Sequence, residues 1–72
     1  MEVRLLHKGT VKRWLTGRGY GFIGVNGQET DVFVHNSDVE GRSSLSIGER
    51  VEFDIEETDR GPRAVNVQQV IE

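Results

Sequence analysis

Arg18-Gly19-Tyr20-Gly21-Phe22-Ile23 and, a short way on, Val32-Phe33-Val34-His35 decide the reading of this chain. As β-strands, whose side chains alternate between two faces, the runs sort into two unlike sets. Tyr20, Phe22, Phe33 and His35 share one face, and Ile23, Val25, Val32 and Val34 share the other. The aliphatic set is enough for a hydrophobic core, so the aromatic set needs another use. Flat rings on a sheet surface, interleaved with glycines and bordered by basic residues, suit bases stacked from a single-stranded nucleic acid.

Outward from these runs, strand signals recur at short spacing: roughly Gly9 to Leu15, Tyr20 to Val25, Asp31 to His35, Arg50 to Glu56 and Arg63 to Val70. Turn formers separate them at Thr16-Gly17-Arg18-Gly19, at Asn26-Gly27, through Gly41-Arg42-Ser43-Ser44, and at Asp59-Arg60-Gly61-Pro62. Asn26-Gly27 suits a hairpin because both residues tolerate positive φ. No stretch sustains a helical apolar period, and nine glycines are scattered throughout. Five short strands with one longer connection, between the third and fourth, predict a small all-β, antiparallel barrel whose closure hides its edges. Val51, Phe53 and Ile55 alternate with Glu52, Asp54 and Glu56, so Phe53 is expected in the core. Leu45-Ser46-Ile47-Gly48 is expected to plug the barrel end.

A chain of 72 residues holds one domain, read here as spanning 1–72, with 1–8 an N-terminal extension and 9–70 the barrel. A domain this small hides only about 60% of the surface its unfolded chain exposes, so modest stability is expected. The absence of cysteine excludes a disulfide framework, thiolate metal sites and cysteine catalysis. Two histidines far apart in sequence make no metal site. Paired carboxylates or a nucleophile–base arrangement cannot be assembled either, so neither enzymatic activity nor a cofactor is expected. No apolar run approaches the roughly 20 residues of a membrane helix, and Met1 to His7 is too short and charged for a signal peptide. The expectation is a cytoplasmic monomer with no membrane partner and no small-molecule substrate.

The net charge of −3 argues against holding nucleic acid by bulk charge. Its distribution is uneven, however. Arg4, Lys8, Lys12, Arg13 and Arg18 crowd the first quarter, while Glu49, Glu52, Asp54, Glu56, Glu57 and Asp59 crowd a later stretch. A fold that separates the two gives one locally positive surface on an acidic protein. Val3, Leu5 and Leu6 are expected either to pair with a sheet edge or to fray.

The two runs resemble the two ribonucleoprotein motifs of the cold-shock domain family, in order and spacing. Gly9-Thr10-Val11-Lys12 resembles that family's first strand, and Arg60-Gly61-Pro62 followed by Ala64-Val65-Asn66-Val67 resembles the approach to its last. The similarity runs from about Gly9 to Gln68. It implies a five-stranded OB-fold barrel that binds single-stranded RNA or DNA and acts as an RNA chaperone. Tyr20, Phe22, Phe33 and His35 match the family's stacking positions, Lys12 a basic contact on the first strand, and Arg60 a loop residue near the binding surface.

This chain departs from the family in three places. After the lysine the family usually has Trp-Phe-Asn, where this chain has Arg13, Trp14 and Leu15. Strict alternation from buried Val11 places Lys12 and Trp14 on the aromatic face, unless a β-bulge intervenes. The residue after His35, often aromatic in bacterial members, is Asn36, and the loop from Glu40 to Ser44 is short and lacks a ring. Each base–aromatic stack contributes about 1–3 kcal/mol, so weaker and more salt-sensitive binding than in an aromatic-rich member is expected. Arg13 offsets part of the loss, because a guanidinium both stacks on bases and pairs with phosphate. The expected interface is therefore Lys12, Arg13, Trp14, Arg18, Tyr20, Phe22, Phe33, His35 and Arg60. A protein-interaction module using the same exposed rings is the rival reading.

Overall fold

Alternation of apolar and polar side chains produces the strands. The computed structural model describes residues 7–25, 27–41 and 43–70. Five strands follow in order: β1 His7–Leu15, β2 Tyr20–Val25, β3 Val32–His35, β4 Arg50–Thr58 and β5 Gly61–Gln69. A short 3-10 turn, Asn36–Asp38, continues directly from β3. Among the described residues no helix is long and apolar enough to cross a membrane. The expected pairing partners Val3, Leu5 and Leu6, and the turn residue Asn26, lie outside the described residues.

The sheet closes into a barrel in the order β1-β2-β3-β5-β4. The expectation of an antiparallel barrel holds for four of its joints and fails at the fifth, where β3 and β5 run parallel with Phe33 beside Arg63 and Val34 beside Ala64. Parity requires this. Directions that alternate around a ring of five strands must repeat once, and the repeat falls where β3 meets β5.

Two irregularities bend the sheet. On β1 the register steps from Val11 opposite Ile23 to Arg13 opposite Phe22, so Lys12 is an extra residue, a β-bulge. On β5 the register with β4 shifts between Glu52 and Asp54, and Asn66 there takes a left-handed φ of 53°. Between β4 and β5 the chain turns tightly over Asp59 and Arg60: Thr58 Oγ1 donates to the Gly61 carbonyl at 2.7 Å and accepts from the Arg60 N–H at 3.2 Å.

The core is aliphatic, with Phe53, Ile23, Val11, Val32, Val34, Val51 and Val67 its largest fully buried side chains. Among the described residues no charged or polar residue is buried. Phe53 is completely enclosed, as its alternation predicts. The segment before β4 plugs the barrel through Leu45 alone; Ile47 is 71% exposed. Just beyond it, the Gly48 N–H donates to the Val11 carbonyl at 2.8 Å and the Val11 N–H to the Glu49 carbonyl at 2.9 Å. These bonds carry the β1–β4 seam past its last ladder pair, Thr10 with Arg50.

Candidate nucleic-acid interface

The outer faces of β2 and β3 bring the expected rings together. Register sets Tyr20 opposite His35 and Phe22 opposite Phe33, while Gly21, Ile23, Val32 and Val34 face inward and are buried. Tyr20, Phe22 and Phe33 are each half-buried. Tyr20 and Phe33 lie 5.6 Å apart, tilted by 36°. Phe22 meets Tyr20 edge-on at 6.2 Å and Phe33 edge-on at 6.1 Å. Such pairs contribute about 0.5–1.5 kcal/mol each beyond the area they bury. They fix the rings against one another while leaving surface open to a ligand.

His35 completes the patch. Its Nδ1 accepts from the Ser37 backbone N–H at 3.2 Å and lies 2.8 Å from Ser37 Oγ. An acceptor at Nδ1 puts the neutral ring's proton on Nε2, so the imidazole can offer an N–H to a base carbonyl. Asn36, at the position where the family often has a ring, braces the turn before β2 instead. Its N–H donates to the Gly19 carbonyl at 2.8 Å, and a Cβ on Gly19 (φ 71°) would stand 2.7 Å from Asn36 Nδ2. Glycine there answers both the left-handed backbone and the close approach.

The bulge on β1 corrects the expected place of Trp14. With Lys12 as the extra residue, Lys12 and Arg13 both point outward and are exposed. Trp14 turns inward, 9% exposed, against Gly21. Its Nε1 is buried and finds no acceptor among the described residues. Strict alternation would have placed the indole outside; the inserted residue shifts the phase by one. Arg13, opposite Phe22, therefore occupies the outer position beside the rings. Lys12 lies over Gly24, where a Cβ would come within 2.5 Å of its Cε.

One contributor lies outside the expected set. Arg63 on β5 sits beside Phe33 on the same outer face, since its neighbour Ala64 is buried. Its guanidinium is held by Asp38, with Nε donating to Oδ2 at 2.8 Å and Nη2 to the same oxygen at 2.5 Å. Across four adjacent strands the outer row reads Arg13, Phe22, Phe33, Arg63. The outward position of Arg63 follows from alternation, but its place beside Phe33 depends on the parallel joint and has no local signal.

Charge is segregated only in part, and Arg4 lies outside the described residues: Glu56 of β4 stands opposite Arg63 on β5, and Asp38 holds that arginine beside the rings. Lys12 and Arg13 lie on the half of β1 that β4 does not reach, and Arg18 lies in the turn leading to β2. Among the described residues no acidic side chain pairs with Lys12, Arg13, Arg18 or Arg60. Glu52, Asp54, Glu56 and Glu57 lie on β4, which touches neither β2 nor β3 in the ring. Arg60 sits at the exposed tip of the β4–β5 hairpin.

Comparison with known proteins agrees with this geometry. The model of the 'Cold-shock' DNA-binding domain matches residues 7–70. Cold shock protein CspA of Staphylococcus saprophyticus is 52% identical over 64 residues, covering 86% of this chain and 96% of its own length. A cold shock-like protein of Aquifex aeolicus is 48% identical over 63 residues, covering 85% of this chain and 90% of its own. Among solved structures, drosophila Unr CSD456 superposes with a TM-score of 0.78 over 94% of this chain and 28% of its own; at 20% identity the likeness is one of fold. The chain belongs to the cold-shock domain family, whose members generally bind nucleic acids.

Proposed function

We propose that this chain binds single-stranded RNA or DNA as a monomer, stacks unpaired bases on its outer aromatic patch, and acts as an RNA chaperone without ATP, cofactor or catalytic chemistry. The observation that carries the reading is the mutual contact of Tyr20, Phe22 and Phe33 on the face the core does not use. Bases lie on these rings and on His35; Lys12, Arg13, Arg18 and Arg60 meet phosphates at the borders. Trp14, enclosed behind Gly21, supports the patch from beneath and is not one of its stacking surfaces.

Every base has a π-face, so sequence preference from stacking alone is mild. Binding only the unpaired form draws weak hairpins open by mass action, in proportion to the excess of free protein over its Kd. The four border cations are few. Neutralising two or three phosphates gives a log–log salt slope of about −1.5 to −2, or roughly tenfold weaker binding between 50 and 200 mM salt.

Calorimetric titration with hexathymidylate and hexauridylate at those two salt concentrations tests the reading. Saturable binding that weakens about tenfold supports it. Binding indifferent to salt removes the phosphate contacts of the border cations from the reading and leaves stacking alone, and no binding of either strand rejects the proposal in favour of a protein-interaction module using the same rings.

A further inference from the structure

The Arg63–Asp38 pair gives the platform a means of choosing a base. A guanidinium has two donor edges: a side edge of Nε and Nη2, and an end edge of Nη1 and Nη2. Here Asp38 Oδ2 takes the side edge, accepting from both Nε and Nη2. The end edge keeps two parallel N–H donors. Arg63 is still 38% exposed, while Asp38 is 18% exposed, so the carboxylate anchors from beneath and the arginine meets solvent. In the parallel joint Arg63 stands in register with Phe33, on the face that carries the rings. A base lying flat on Phe33 turns one edge towards β5, where that donor pair waits.

Two parallel donors demand two adjacent acceptors. Thymine and uracil do not offer them, because their O2, N3–H and O4 alternate acceptor, donor, acceptor. Guanine does, through O6 and N7, the arrangement arginine reads in duplex DNA; cytosine also sets two acceptors side by side, N3 and O2, but its O2 lies beside the glycosidic bond, whereas the guanine pair lies on the open edge away from the sugar. We propose that Arg63, oriented by Asp38, selects guanine at the nucleotide stacked on Phe33, so that this chain departs from indifferent stacking at one position. The proposal rests on the single-strand reading above. Arg13, with no acidic partner among the described residues, has no such fixed edge and serves stacking and phosphate alike.

The test scans one deoxyguanosine through each position of hexathymidylate and compares every Kd with that of hexathymidylate itself. One position should bind about five- to tenfold tighter, the lower part of the range for a bidentate base contact on an open surface. At that position deoxyinosine, which keeps O6 and N7, should retain the gain. 7-Deazaguanine, which loses N7, should lose most of it, and neither deoxyadenosine, which has a donor beside N7, nor deoxycytidine, whose acceptor pair N3 and O2 lies on the edge beside the sugar, should reproduce it. Arg63→Lys keeps the charge and loses the fork: the guanine advantage, the ratio of the two Kd values within that one variant, should disappear whatever the change in hexathymidylate binding. Asp38→Asn should bind hexathymidylate slightly tighter, having shed a negative charge, yet show a smaller guanine advantage. A merely structural loss would not move the two readouts in opposite directions. An advantage absent at every position, surviving 7-deazaguanine, or surviving Arg63→Lys overturns the assignment of Arg63. Failure of hexathymidylate and of every guanine-bearing strand to bind overturns the single-strand reading along with it.

Discussion

Gly21→Ala should cost this fold more than any other one-methyl change on β2, because of what stands behind the glycine. A Cβ there would overlap the Arg13 carbonyl oxygen and stand 2.8 Å from Trp14 Cε3 and 3.0 Å from Trp14 Cα. Two of these three atoms are backbone, so no rotamer change relieves the clash and β1 must part from β2. Overpacking of this kind costs about 1–3 kcal/mol, and the rigid neighbour argues for the upper end. Alanine returns about 0.4–1 kcal/mol by restricting the unfolded chain. The net loss is about 2 kcal/mol, which lowers Tm by roughly 8–16 °C in a domain of this size. Gly24→Ala, on the same strand but the outer face, is the control. Its Cβ meets Lys12 Cε at 2.5 Å and Cγ at 3.0 Å, atoms of a flexible stem that can lift away. Stability within about 0.5 kcal/mol of the parent is expected there, since the entropy gain and the lost stem packing nearly cancel. Thermal and urea melts by circular dichroism compare the two. Equal losses at both positions, or a Gly21→Ala variant as stable as the parent, would refute the account of Trp14 packed against Gly21.

Trp14→Phe offers a second check, removing a buried N–H that finds no acceptor among the described residues: it exchanges about 1 kcal/mol of lost packing for about 1–3 kcal/mol of relieved burial, so urea melts should show a fold as stable as the parent or more so. Fluorescence of Trp14 should be little quenched by a saturating oligonucleotide, because the indole is enclosed beneath the platform; strong quenching would place it at the ligand. Arg13→Trp adds a ring beside Phe22 at an outward position; titrations should show binding tighter by at least about 1 kcal/mol and a salt slope shallower by about 0.7.

Much of this molecule is legible in its sequence. β2 falls where its Tyr20–Val25 alternation places it, and the aromatic and aliphatic faces sort as period two requires. Phe53 is enclosed for the same reason. Phase is harder to read than period. Nothing in Val11-Lys12-Arg13-Trp14 announces that Lys12 is an inserted residue, and that insertion exchanges the faces of Arg13 and Trp14. The parallel joint is legible only once closure is assumed, because it follows from strand number and from no local pattern. Arg63 and Asp38, 25 residues apart, meet only through that joint and the turn after β3, so their pairing was beyond a reading of neighbours.

The measurement closest to the central claim is the affinity of the Phe22→Ala and Phe33→Ala variants for a single-stranded hexanucleotide, set beside their melts. Both rings are half-buried on the outer face, so each truncation should weaken binding by about 1–3 kcal/mol, roughly five- to 150-fold. The variants should remain folded, giving up chiefly the ring–ring contacts, about 0.5–1.5 kcal/mol per pair. Binding unchanged while the melts collapse would show that the rings belong to the core and that the platform reading is wrong.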